Sequence, residues 1–174
     1  MAPKLTIGMA TFDDYGGCWS TLQSLRLNND LSEVELIVVD NKPDAPESTS
    51  LKNQIEHFMQ PRTAGVRYIP MPEPVGTSSP RNRVFAEATG DAVMCIDSHV
   101  LLEPRAVERL IDWYNGHPDT DDLISGPLLY DNLTSISTHF NDVWRSEMWG
   151  IWATAWEACE GGDKFSVVNS ANGR

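Results

Sequence analysis

The tripeptide Asp97-Ser98-His99 holds two side chains that could share one ligand. Residues two apart in an extended chain face the same side. A carboxylate paired with a neutral imidazole suits Mn²⁺ and tolerates other divalent ions. An ion held there can bridge two phosphates and offset the charge of a departing diphosphate. The plainer alternative is a loop-capping Asp97 and a surface His99. A second carboxylate, Asp40, ends the apolar run VELIVV. It can accept from a base or a ribose hydroxyl, or start a turn with Asn41. Arg81 follows Gly76-Thr77-Ser78-Ser79-Pro80. Near a helix start, backbone N–H groups and the helix dipole favour phosphate, and a guanidinium adds a bidentate fork. The alternative is that Arg81 and Arg83 are ordinary exposed helix residues.

These residues need elements to hold them. Residues 4–9 (KLTIGM) predict a buried strand that runs into Thr11-Phe12-Asp13-Asp14, with a helix over 19–27 after Gly16-Gly17. Residues 34–39 form the strongest strand signal, stopped by Asp40-Asn41-Lys42-Pro43. A helix over 51–58 and a strand over 66–69 follow. Ser79-Pro80 predicts the next helix start, a capping hydroxyl before Pro at the first helical position, with Gly90 as its stop. Then come a strand over 92–96, a helix over 104–115 before Gly116, and a short strand at 123–124. Alternating strands and helices predict an α/β domain with a mainly parallel sheet covered on both faces. Ligands bind beyond the carboxyl ends of such strands. That rule singles out Thr11-Phe12-Asp13, Asp40-Asn41 and Asp97-Ser98-His99.

Other chemistry is excluded. The sequence has no GxxxxGK[ST] phosphate loop, no GxGxxG after the first strand, no GxSxG elbow and no HExxH. The chain has 174 residues and a formal net charge of -12, from 13 Lys plus Arg against 25 Asp plus Glu. So acidic a protein is a poor general binder of nucleic acid or anionic membrane. The charge is uneven: residues 118–163 carry acids with Arg145 as their one base, whereas residues 61–83 hold Arg62, Arg67, Arg81 and Arg83 against Glu73. Cys18, Cys95 and Cys159 lie far apart, which predicts reduced thiols and a cytoplasmic protein. No apolar run reaches the roughly 20 residues of a membrane span, and the N-terminus does not read as a signal peptide.

Four blocks in order resemble the nucleotide-binding part of a family 2 glycosyltransferase of the GT-A fold. LTIGMATFDDY resembles its first strand and base-holding loop, VELIVVDN the second strand with its uridine-contacting Asp, GTSSPRNRVFAEATGD the Ala-Arg-Asn helix, and AVMCIDSHVLLEP the strand with the DxD metal motif. The DxH form resembles that of the polypeptide N-acetylgalactosaminyltransferases. The likeness implies a Rossmann-like GT-A domain over residues 1–174, with a nucleotide-binding half at about 4–115 and an acceptor-side segment at about 120–174. It implies a metal-dependent transferase that takes a sugar from a nucleotide-diphosphate sugar, a UDP-sugar above all. The acceptor is a glycan, protein or small molecule. Thr11, Phe12, Asp13, Asp40, Arg81 and Asp97 would bind the donor nucleotide, and Asp97 and His99 would hold Mn²⁺ or Mg²⁺. The family's catalytic base usually comes from a further segment. Glu160-Gly161-Gly162-Asp163 echoes its acidic turn, so Glu160 and Asp163 are the candidate bases.

Trp149, Trp152 and Trp156 have the spacing of one helix face if that segment is helical, and past about residue 130 the pattern predicts no definite elements. They read as core or lid packing, as a sugar platform formed by Trp149 and Trp152, or as a partner surface, a homo-oligomer included. The rival to an enzyme is a truncated, non-catalytic GT-A module that binds nucleotide or another chain. A nucleotidyltransferase ranks last, because its first loop is normally Gly-rich and basic, whereas Thr11-Phe12-Asp13-Asp14-Tyr15 is acidic.

Overall fold

A computed structural model describes residues 2–73, 76–126, 128–130, 136–145, 148–153 and 166–168. The chain divides into two compact units, Met1–His117 and Pro118–Arg174.

The first unit is built on β1 (Leu5–Thr11), β2 (Val34–Asp40), β3 (Gly65–Pro70) and β4 (Ala92–Asp97). All neighbours pair in parallel, in the order β3-β2-β1-β4. Every residue of β2 is buried, as expected of a strand covered on both faces. One face packs Ile7, Met9, Leu36 and Val38 against α1 (Tyr15–Asn28), α2 (Ser48–Gln54) and α4 (Ala106–Gly116). The other packs Ile37 and Val39 against Val84 of α3 (Ser78–Glu87). The α/β class with helices on both faces is therefore present.

The contact between α3 and β1 depends on a glycine. A Cβ on Gly8 would lie 2.0 Å from Val84 Cγ1. The far end of the same face carries a polar lock. The Glu35 carboxylate, 6% exposed, accepts from Thr6 Oγ1 at 2.7 Å, Thr89 N at 2.9 Å and Arg67 at 2.8 Å. Burial alone would raise its pKa, but these donors hold it below the usual carboxylate range.

Several boundaries differ from expectation. The first helix starts at Tyr15 rather than Trp19, because Asp14 caps it by accepting from Gly17 N at 3.0 Å. Leu27 is 76% exposed and off the buried stripe. The helix expected over 51–58 passes from α2 into a π turn, Ile55–Met59, and a 3₁₀ turn, Gln60–Arg62. The third helix starts at Ser78, so Ser79 is not its cap and Pro80 sits inside its first turn. Gly90 is not a helix stop either. Its N–H donates to Thr6 Oγ1 at 2.9 Å, and a Cβ there would lie 2.6 Å from Thr6 N, so close approach to β1 demands glycine. Gly116 closes α4 from within.

The second unit is antiparallel. β5 (Leu123–Ser125) pairs with β9 (Ser166–Val168), and β6 (Leu128–Leu129), β7 (Ile136–Arg145) and β8 (Met148–Ala153) form a three-stranded sheet. Trp149 and Trp152 therefore lie on a strand, opposite Trp144 and Phe140, and the helical spacing does not gather them on a helix face. Trp156, Glu160 and Asp163 lie outside the described residues. No helix among the described residues is long and apolar enough to cross a membrane.

Candidate functional site

The parallel register brings the singled-out residues to one edge. Thr11 pairs with Asp40, and Ala10 with Asp97, so three strand ends finish in a row. Asn41 N donates to Thr11 O at 2.9 Å and Met71 N to Asp40 O at 2.8 Å, which extends the ladder into the loops.

Asp40 is 1% exposed. Its Oδ1 accepts from Lys42 N at 2.9 Å, and its Oδ2 accepts from the Tyr68 hydroxyl on β3. The turn reading of Asp40 therefore holds, and the same carboxylate still lines a cleft with Thr11, Asp13, Tyr15 and Ser48. Burial and the neighbouring Asp40 push the Tyr68 hydroxyl pKa up, so it stays a donor. The Cys18 thiol behind the cleft is pushed up to about 12 by burial and by the charges of Asp14 and Asp40. It is a packing residue and no nucleophile.

The first loop carries Phe12, 55% exposed, and Asp13 at φ 52, a left-handed conformation that Asp tolerates better than most residues. Lys42 bridges this loop to β2. Its ammonium lies 2.8 Å from Asp13 Oδ2 and 5.6 Å from the Phe12 ring centre. The bond to Asp13 raises the Lys42 pKa, so that side chain stays charged.

The β4 end carries the other cluster. The Arg81 guanidinium donates to Asp97 Oδ1, so the basic helix residue and the candidate metal ligand face each other. His99 Nδ1 lies 3.4 Å from Asp14 Oδ2, and Ser98 Oγ reaches the same oxygen at 3.5 Å. The loop is fixed from beneath by α1. Thr21 Oγ1 donates to Val100 O at 2.8 Å and accepts from Val100 N at 2.9 Å, while Ser24 Oγ accepts from Leu102 N.

Among the described residues, no three His, Cys, Asp or Glu side chains converge on one point. Asp97 and His99, the two donors the sequence suggests for an ion, are both partly exposed and face different partners, Asp97 the Arg81 guanidinium and His99 the Asp14 carboxylate. A carboxylate and an imidazole fit an ion that takes its remaining ligands from phosphate and water.

The structure thus joins Thr11 with Asp40, Phe12 with Asp13, and Arg81 with Asp97. Sequence reasoning missed Asp14, Lys42, Tyr68 and Thr21. A tyrosine in a covered strand is the one signal that was available, since its hydroxyl must find a partner.

The family model for glycosyl transferase family 2 matches residues 6–151, and the chain belongs to that family. No match is found among curated proteins. A crystal structure of S. aureus TarS 1-349 is 19% identical, with a TM-score of 0.57 over 72% of this chain and 41% of that one. The same protein in complex with UDP is 18% identical, with a TM-score of 0.58 over 68% of this chain and 34% of that one. A further S. aureus TarS structure is 19% identical, with a TM-score of 0.51 over 72% of this chain and 21% of that one. These likenesses establish a shared GT-A-like fold, and this chain spans less than half the length of each.

Proposed function

We propose that the protein is a glycosyltransferase that moves a sugar from a nucleotide-diphosphate sugar, a UDP-sugar, to an acceptor hydroxyl. The row of Thr11, Asp40 and Asp97 along the carboxyl edge, with Arg81 on Asp97, carries the reading. Family membership and the UDP complex of TarS support it. Asp40 accepts from the base, and Thr11 with Phe12 and Asp13 forms the wall beside it. Arg81 moves from Asp97 to the diphosphate, where a guanidinium fork matches phosphate oxygens.

Asp97 and His99 would hold a Mn²⁺ or Mg²⁺ ion, as the DxH likeness to the polypeptide N-acetylgalactosaminyltransferases implies. When bound, such an ion neutralises charge on the leaving diphosphate. In an inverting transfer the acceptor hydroxyl would lose its proton to a carboxylate, for which Glu160 and Asp163 remain the candidates. Trp149 and Trp152 remain the candidate sugar platform. The cytoplasmic placement rests on the sequence alone.

Calorimetric titration of a UDP-sugar in Mn²⁺ tests the assignment. Asp97→Asn and His99→Ala should each weaken binding at least tenfold, in line with the loss of one of the ion's protein ligands. Unchanged affinity in both variants would remove the metal from the proposal.

A further inference from the structure

We infer that Arg81 keeps Asp97 from holding a divalent ion until a donor diphosphate arrives, so that ion and nucleotide bind as a coupled pair. The inference rests on the nucleotide and ion reading above and concerns how the free protein guards that site.

The Arg81 guanidinium donates to Asp97 Oδ1. Asp97 is the one carboxylate of the Asp97-Ser98-His99 tripeptide, so its charge is what draws a cation to that loop. A guanidinium on one oxygen offsets that charge. It also lies within a carboxylate's width of any ion on the other oxygen, and like charges so close repel. Asp14 does not make up the loss. Its Oδ1 accepts from Gly17 N at 3.0 Å in the helix cap, and its Oδ2 lies 3.4 Å from His99 Nδ1. Among the described residues, no third ligand-type side chain converges on the pair.

The pair is also easy to part. Arg81 and Asp97 are 46% and 42% exposed, and ion pairs so placed are weak. Other arginines nearby are differently held. Arg67 grips the buried Glu35 together with Glu87, and Arg83 is held by Glu87 one turn on. Those contacts fix the C-terminal end of α3, whereas Arg81 meets its partner at the ligand-binding edge.

A diphosphate supplies the alternative. Its oxygens match the guanidinium fork and draw Arg81 away. Asp97 then regains its charge just as phosphate oxygens become available to the same ion. Arg81 and Asp97 need part only once for two ligands, which is positive coupling. By linkage the ion raises nucleotide affinity by the factor with which the nucleotide raises ion affinity.

The test is Mn²⁺ binding followed by EPR, without UDP and then with it, the ion held by free UDP being subtracted. The proteins are wild type, Arg81→Gln, Arg81→Lys and Arg81→Gln with Asp97→Asn. Without UDP, Arg81→Gln should bind Mn²⁺ about threefold to fivefold tighter than wild type, the scale of a partly exposed ion pair. Arg81→Lys, which keeps the charge, should stay close to wild type. Adding Asp97→Asn to Arg81→Gln should abolish the gain. UDP should raise Mn²⁺ affinity less in Arg81→Gln than in wild type, again by about threefold to fivefold. A wild type that binds Mn²⁺ with UDP, beside an Arg81→Gln that binds Mn²⁺ alone no tighter, overturns the inference and leaves the ion reading standing. A gain as large in Arg81→Lys, or one that survives Asp97→Asn, also overturns it. No Mn²⁺ binding to any of the proteins with UDP present overturns the ion reading as well.

Discussion

The guanidinium of Arg81, on α3, donates to the carboxylate of Asp97 at the end of β4. The two side chains lie 16 residues apart in sequence and are both partly exposed at the edge where ligands of parallel sheets bind. Under the proposed function, that guanidinium would leave the carboxylate for a donor phosphate.

Arg81→Ala should therefore separate the two ends of the nucleotide. UDP affinity should fall about tenfold to a hundredfold, the scale of one hydrogen bond to a charged group. Uridine, which lacks phosphate, should bind as it does to wild type. Competition binding with the two ligands checks this, and an equal loss for both would place Arg81 outside the diphosphate site.

Glu35 predicts an acid response of stability. Its pKa in the folded protein lies below that of the unfolded chain, about 4.3. The folded state thus binds fewer protons than the unfolded state in that range, and ∂ΔG/∂pH is positive there. Its contribution is complete above about pH 5 and is lost as pH falls through 4 and below. Glu35→Gln should be less stable than wild type at pH 7, and the gap should narrow at pH 3. Urea unfolding at the two pH values measures the gap, and a constant gap would contradict the assignment.

Gly8 predicts a steric penalty rather than a conformational one. Gly8→Ala should destabilise the first unit by about 1–3 kcal/mol, the cost of overpacking, because the new methyl would meet Val84 at 2.0 Å. Adding Val84→Ala should cost less than the sum of the single changes, since the two sites share one space. Strictly additive losses in chemical denaturation would deny that contact.

The sheet and its row of carboxylates were legible because parallel strands are apolar along their whole length. VELIVV can be little else, and a polar residue ending it falls at the ligand-binding edge. Asp40 and Asp97 are reachable by that route, and Arg81 by its place near a helix start. Tyr68 and Asp14 were not. Their partners come from register across strands and from a loop conformation, which no local spacing encodes. Gly90 differs for a related reason: a helix-stop rule competes with close approach to β1, and packing decides for the approach. The Trp spacing would gather one face only if the segment were helical, and Met148–Ala153 pairs as a strand.

The proposed nucleotide-diphosphate site would need an ion on Asp97 and His99. Its most direct test is calorimetric titration of UDP into the protein, first with Mn²⁺ and then with EDTA. Binding should saturate with Mn²⁺ and fall at least tenfold in EDTA. Equal binding in both conditions would contradict the metal, and no binding in either would contradict the donor site itself.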